Sequence, residues 1–436
     1  MNNKVRSLLL SFVALAAAGP ALAQAPAPAQ VTAIRAGRLI DGTGKAAVEN
    51  AVIIVRGERI ENVGPAASVA IPAGAKVIDL SRQTVLPGLI DGHTHPYENL
   101  DWTVPDTVRM TYIAQGLRVA LLSGTTTAFV QGEIHGMDVV ARDAVREGRL
   151  TGPRVYPSGH WIATTSSWGG VLDETYDGPD EIRKAVRQQY QLGAHHIKLL
   201  MEPKDWRSQR PYPKGTSNFT KEELDAAVSE AHRLGVKVFA HSYGDAIKLA
   251  VDAGADVIIH GEDLNPETIS LLREKNVGVI ANLANKFGRY YPERWTGAAK
   301  LNGPVEWVDA WRQAGMRGRQ TDADFGRAVQ KRLGELRALK QAGVVVVAGT
   351  DNVPGMAQME TELLVEAGWT PLEAISAATG ASAKLLGIDG DVGAIVKGRF
   401  ADIIAVPGRP DQNIKDLNDV RFIMWNGKDY SNLSWR

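Results

Sequence analysis

Between residues 87 and 387 the chain alternates short apolar runs with longer amphipathic stretches, and few folds can absorb that rhythm. The apolar runs fall at 88–91, 126–130, 154–157, 196–201, 237–241, 256–260, 278–283 and 344–349. Helical patterns lie between them, among them 106–122, 180–192, 222–234, 245–253, 266–275 and 322–341. Thr220-x-x-Glu223 and Thr370-Pro371-x-Glu373 read as capping boxes, the second with proline at the first helical position. Eight strands each followed by a helix predict an α/β fold of the (β/α)8 TIM barrel type rather than an open sheet. In such a barrel the chemistry sits at the carboxyl ends of the strands.

The flanks have a different texture. Residues 31–86 carry strand signals at 31–40, 51–55, 59–63 and 76–80, separated by turns such as Arg56-Gly57-Glu58. Short strands return at 393–396, 401–406 and 420–425, with turns at Lys397-Gly398 and Asn426-Gly427. Residues 31–86 and 388–436 therefore predict a small β-sandwich domain built from both chain termini around the barrel at 87–387. The 44 glycines suit the many tight strand-to-helix turns this requires.

Residues 1–23 stand outside the fold. Lys4 and Arg6 precede an apolar run at 8–18, too short to span a bilayer, and Ala21-Leu22-Ala23 is a small-x-small cleavage signal. Cleavage after Ala23 and export predict a soluble periplasmic or secreted protein, with the Ala/Pro-rich 24–30 as linker. No cysteine is present, so there is neither a disulfide framework nor a thiol for lipid attachment. With 49 basic against 49 acidic residues there is no electrostatic case for nucleic acid or an anionic membrane.

Chemistry-bearing residues cluster at the strand ends. The first run stops at Asp91-Gly92, and His93-Thr94-His95 follows. Strand alternation puts both imidazoles on one side, which is half of a divalent-metal site. Lys198 lies in the fourth run, His241 ends the fifth, His260 ends the sixth, and Asp351 follows the eighth in Gly349-Thr350-Asp351. A buried charge or imidazole at such places is costly unless a partner or a metal compensates it. At five strand ends of one barrel, the six converge on its mouth.

This set resembles the amidohydrolase superfamily, and the resemblance runs from about residue 33 to the C-terminus. It takes in the tail pattern Pro371-Leu372-Glu373-Ala374, Ala377-Ala378-Thr379 and Gly393-x-Ile395-x-x-Gly398-x-x-Ala401-Asp402. Within the superfamily the text is similar to the imidazolonepropionase-like and prolidase-like hydrolases. The resemblance implies two divalent metal ions, with zinc the expected pair. His93, His95 and Asp351 would hold the more buried ion, His241 and His260 the more exposed one, and a carbamylated Lys198 would bridge both. An ammonium cannot ligate, whereas carbon dioxide turns an unprotonated, desolvated lysine into a carbamate with two anionic oxygens. The two metals would share a bridging hydroxide as nucleophile, and Asp351 would shuttle its proton to the leaving group. An internal salt bridge at Lys198, with a single metal, is the other reading. His241-Ser242-Tyr243-Gly244 has no carboxylate, which disfavours deamination.

For substrate, His160, Trp161 and Tyr243 follow strands, and the long insertion at 285–321 holds Arg289, Tyr290, Tyr291, Arg294, Trp295, Trp307 and Trp311. So many aromatics in one long loop predict a functional lid over an apolar or aromatic substrate portion, with Arg289, Arg294 or Tyr243 for a carboxylate. The expected reaction is amide hydrolysis of an N-acyl amino acid, dipeptide or aryl amide. Hydrolysis of a lactone, ester, carbamate or cyclic amide by the same site is the alternative, and a non-catalytic metal-binding protein the third reading. A homo-oligomer is compatible with all of them. His195 and His232 are expected to be structural or superficial, and His135 falls in the loop expected after the second strand, where it is uninformative.

Overall fold

The computed structural model of the chain describes residues 30–96, 104–165, 167, 174–203, 215–288, 322–352 and 354–433. The expected signal segment and most of the linker lie outside them. The N-terminal segment forms β1 (Val31–Leu39), β2 (Val48–Arg56), β3 (Arg59–Pro65) and β4 (Lys76–Pro87). Eight strands follow: β5 (Leu89–Thr94), β6 (Thr125–Val130), β7 (Arg154–Pro157), β8 (His196–Leu200), β9 (Lys237–Tyr243), β10 (Val257–Glu262), β11 (Gly278–Ile280) and β12 (Val346–Val347). The C-terminal segment adds β13 (Ile403–Val406), β14 (Phe422–Trp425) and β15 (Lys428–Asp429).

The strands β5 to β12 pair in parallel in their sequence order, as two sheets, β5-β6-β7 and β8-β9-β10-β11-β12. Every residue of β5, β6 and β8 is buried, as expected of parallel strands covered on both faces. Single parallel bridges link the two sheets on either side. Ile162 meets Leu199, with Ile162 N donating to Lys198 O at 2.8 Å, and Thr94 meets Asp351, with Asp351 N donating to His93 O at 2.7 Å. It is thus the segment after Trp161, rather than β7 itself, that lies against β8.

Helices fill the intervals. Asp106–Leu122, Lys221–Arg233, Ala246–Ala253, Pro266–Glu274 and Asp322–Ala342 fall within two residues of their expected ends. Both capping boxes form, Thr220 with Glu223 and Thr370 with Glu373, each hydroxyl accepting from a backbone N–H that the helix itself cannot bond.

The termini build one continuous seven-stranded sheet, β15-β14-β13-β4-β1-β2-β3. The twelve-residue β4 pairs with β1 in parallel and with β13 antiparallel, so it joins the two ends of the chain into one hydrogen-bonded sheet. Residues 393–396 form no strand. Gly393 and Gly398 sit at φ 84° and 93° and bend the segment across the sheet, where Ile395 N reaches Asp41 O at 2.8 Å.

Arg154, at the start of β7, ties this sheet to the parallel strands. Its guanidinium lies 3.9 Å from the Phe400 ring centroid, 3.4 Å from Asp402 Oδ2, and bonded to Asn426 Oδ1. Asp402 is buried, and desolvation pushes its carboxyl up from the ordinary range. Arg154→Ala leaves that carboxylate uncompensated and is expected to cost about 3 kcal/mol. The urea midpoint should fall while bound metal per chain stays unchanged, because Arg154 stands at the opposite end of the strands from the histidines.

Candidate metal centre

The strand ends carry the expected side chains toward one another. His93 Nε2 and His95 Nε2 are 3.3 Å apart, and Asp351 Oδ1 lies 3.7 Å from the first and 3.9 Å from the second. These ligand atoms lie within 4.8 Å of one another, a span one cation can bridge. The His241 and His260 rings meet edge to face at 4.4 Å, and His260 lies 5.4 Å from the His93 ring. Lys198 is 2% exposed, between β9 and the Ile162 segment. Five of the six expected ligands therefore sit at or just past the carboxyl ends of β5, β9, β10 and β12, while Lys198 is the central residue of β8.

Burial sets their protonation. Desolvation drives His93 well below the ordinary imidazole range and His95 down to about 4, so both are neutral at pH 7 with lone pairs to give. His241 is lowered for the same reason. Desolvation takes the Lys198 amine down to about 7, against the pull of Asp351. His95 Nδ1 lies 3.1 Å from Gly132 O, an acceptor only; Nδ1 therefore holds the proton and Nε2 is free for a metal. The buried His241 Nε2 has Glu202 Oε2 3.5 Å away and makes no closer polar contact among the described residues, a ring nitrogen that a cation would satisfy. The donor set fits divalent metal ions of borderline softness.

Asp91 holds the first and last strands in register at this point. It accepts from Thr350 N at 2.9 Å, from Thr350 Oγ1 at 2.5 Å and from His93 N at 3.2 Å, and burial pushes its carboxyl up to about 7. Gly349 is required beside it. A Cβ there would come within 2.3 Å of Ile280 and 3.0 Å of the His93 Cβ. Asp351 itself sits at φ 58° and His260 at φ 67°, left-handed conformations that aspartate and histidine adopt only when surroundings hold them. Asp91→Ala removes the brace and is expected to weaken metal affinity about 10- to 100-fold, read by chelator competition.

Other expected residues fall in different surroundings. His160 is buried and its Nδ1 lies 3.1 Å from Trp161 O. Trp161, 2% exposed, packs with Ile134, Ala163 and Leu200, so its indole belongs to an apolar cluster rather than to an open mouth. Tyr243 stacks on the His260 ring at 5.3 Å and meets the His241 ring edge-on at 5.2 Å, beside the ligands. Arg289, Tyr290, Tyr291, Arg294, Trp295, Trp307 and Trp311 lie outside the described residues. His135 and His232 are exposed and pair with Asp106 and Asp256, each at 2.9 Å, and His195 packs against Tyr156.

Several polar residues at the site had no clear signature in the sequence. Asn285 donates to Asp351 Oδ2, Asn282 Nδ2 lies 3.1 Å from His260 Nδ1, and Glu202 Oε2 lies 3.5 Å from His241 Nε2. Asn282 interrupts the apolar run at 278–283 and Glu202 directly follows the one at 196–201, the same kind of signal that marked the histidines. His196, inside β8, has its Nε2 3.0 Å from Gln131 Oε1.

Comparison with known proteins gives the family. Residues 84–428 match the Amidohydrolase family. Ochratoxinase from Aspergillus niger is 28% identical, with 92% of this chain and 86% of that protein covered. Its crystal structure superposes with a TM-score of 0.75 at 27% identity, over 93% of this chain and 96% of that one. A Xaa-Pro dipeptidase crystal structure with methionine bound in its active site gives a TM-score of 0.78 at 28% identity, over 92% of this chain and all of the other. Imidazolonepropionase from Streptomyces coelicolor is 25% identical, over 82% of this chain and 85% of that one.

Proposed function

Because the chain belongs to the amidohydrolase family, hydrolases acting on amide C–N bonds, we propose that it is an exported binuclear metal-dependent hydrolase of N-acyl amino acids, dipeptides or aryl amides. The observation that carries this reading is the meeting of His93 Nε2, His95 Nε2 and Asp351 Oδ1 around one point, with the paired His241 and His260 rings beside them. In this reading the two parallel sheets are the halves of one barrel, and the site occupies its mouth. His93, His95 and Asp351 would hold one ion and His241 and His260 the second, with a carbamylated Lys198 as the shared ligand. Zinc suits the imidazole and carboxylate donors.

Two divalent cations so placed supply Lewis acidity that brings the pKa of water toward neutrality and polarises the scissile carbonyl. The rest falls to the chain. Asp351, whose Oδ2 accepts from Asn285, takes the proton of the attacking water and returns it to the leaving nitrogen. Tyr243, standing against both His241 and His260, is placed to donate to a substrate carboxylate next to the scissile amide. His160, Arg289, Tyr290, Tyr291 and Trp295 are the further substrate contacts proposed, with Trp161 packing beneath them. The binding of methionine by the Xaa-Pro dipeptidase supports a substrate with a free amino-acid end.

The test is metal content by mass spectrometry together with parallel panels of N-acyl amino acids, dipeptides, aryl amides, lactones and esters. Two ions per chain and faster turnover on the amides are expected. Activity indifferent to chelation overturns the reading, and preference for lactones or esters moves the activity to the second bond class. Export is checked separately by sequencing the mature N-terminus, expected at Gln24.

A further inference from the structure

The strand that delivers His260 ends abnormally. Its ladder with β9 runs His260 opposite Ser242 and then Glu262 opposite Tyr243, so Gly261 is extruded. His260, Gly261 and Asp263 all have positive φ, 67°, 59° and 56°. Three such residues in four turn the His260 and Gly261 carbonyls out of the regular ladder and toward the helix Asp322–Ala342. Arg332 of that helix, 4% exposed, meets them. Its Nη1 donates to Gly261 O at 2.6 Å, its Nη2 donates to His260 O, and the same Nη2 reaches Ala281 O at 3.3 Å. Glu335 Oε2, one turn along the helix, accepts from Nη1 at 3.2 Å and balances the charge. Lys331 pairs with Asp263 at the far side of the turn.

The third carbonyl matters as much as the first two. Ala281 precedes Asn282, whose amide lies 3.1 Å from His260 Nδ1. One guanidinium thus grips the backbone of a proposed ligand and the backbone of the residue touching that ligand's ring. As placed, Asn282 Nδ2 donates to His260 Nδ1; with the amide turned over, Oδ1 accepts from a protonated Nδ1 and Nε2 is left as the lone pair that a metal needs. A planar fork can bond three carbonyls on two neighbouring strand ends; a tetrahedral ammonium cannot match that spread.

We propose that Arg332 is a positioning residue, whose guanidinium clamps the ends of β10 and β11 and thereby aims His260 at the second, more exposed metal ion. This rests on the binuclear reading above. Arg332 touches neither ion nor substrate; it acts through His260 and Asn282.

The experiment compares wild type, Arg332→Ala, Arg332→Lys and His260→Ala, each loaded with zinc. Ions per chain after dialysis against a weak chelator, and the rate of ion release, are the readouts. Wild type is expected to keep two ions. Arg332→Ala should keep one and release the other about 10-fold faster or more, as His260→Ala does, with Arg332→Lys between them. Guanidinium chloride at millimolar concentration should restore the second ion to Arg332→Ala, and ammonium chloride should not. Arg332→Ala holding both ions at the wild-type release rate overturns the proposal. Should that variant not fold, Arg332→Lys decides alone, and a wild-type release rate there overturns it equally. A wild-type chain that never takes a second ion overturns the binuclear reading itself.

Discussion

Asp351→Asn is expected to lower kcat/KM by about a thousandfold while both ions remain bound at saturating metal. General acid–base groups contribute roughly 10²- to 10⁴-fold, and an amide cannot accept and return the proton that a carboxylate carries. Asparagine is the decisive substitution for a conformational reason. Asp351 lies at φ 58°, a region that asparagine and aspartate tolerate better than other L residues, so the variant keeps the backbone that holds His93 and His95 in place. Alanine would mix the loss of a proton shuttle with backbone strain. The measurement is steady-state kinetics beside metal analysis on the same sample. Full activity in Asp351→Asn would remove Asp351 from the proton path, and loss of the ions would make it a ligand first.

Lys198→Ala is expected to lose both ions together and to fall to background activity, the largest effect of any single substitution here. In the proposed binuclear site a carbamate is the one ligand able to touch both cations, so its removal would separate them. Formation needs the neutral amine: nitrogen attacks carbon dioxide, a carbamate forms, and a proton is released. With the amine at about 7, the neutral fraction falls about tenfold per unit below that pH. Reloading of metal-free protein with zinc and bicarbonate should therefore quicken from pH 6 to 8 and then level off. The linkage has a matching sign. Between about 7 and 10.5 the unfolded chain binds this proton and the folded metal-free chain does not, so stability rises with pH across that window. Carbon-13 NMR after loading with labelled bicarbonate checks the adduct directly. Two ions retained by Lys198→Ala would rule out the bridge and favour the salt-bridge reading.

These two residues were legible because each breaks an apolar run. Lys198 interrupts Ile197 and Leu199, and Asp351 ends a stretch of four valines, an alanine, a glycine and a threonine. The residues that aim them were not. Asp91 and Thr350 are 259 positions apart, and Arg332 reaches carbonyls 51 to 72 positions away. No local pattern encodes a hydrogen bond to a backbone carbonyl on another strand. Trp161 misled for the opposite reason: a tryptophan after a strand looks like a mouth residue until the packing of Ile134 and Leu200 closes over it. The short strand expected at 393–396 failed because two glycines with positive φ carried more weight than its apolar residues.

The sequence by itself determined what is periodic and local: eight parallel strands in order, the helices with their capping boxes, and the polar residues standing where each strand stops. Only the tertiary structure decided how the terminal strands join through β4, which polar groups brace the ligands, and where the left-handed turns at His260 and Asp351 fall. Apolar rhythm and helix caps act over a few residues and leave a mark in the text. A bond between strand ends depends on where distant segments meet, and that is settled by the packing of the whole chain.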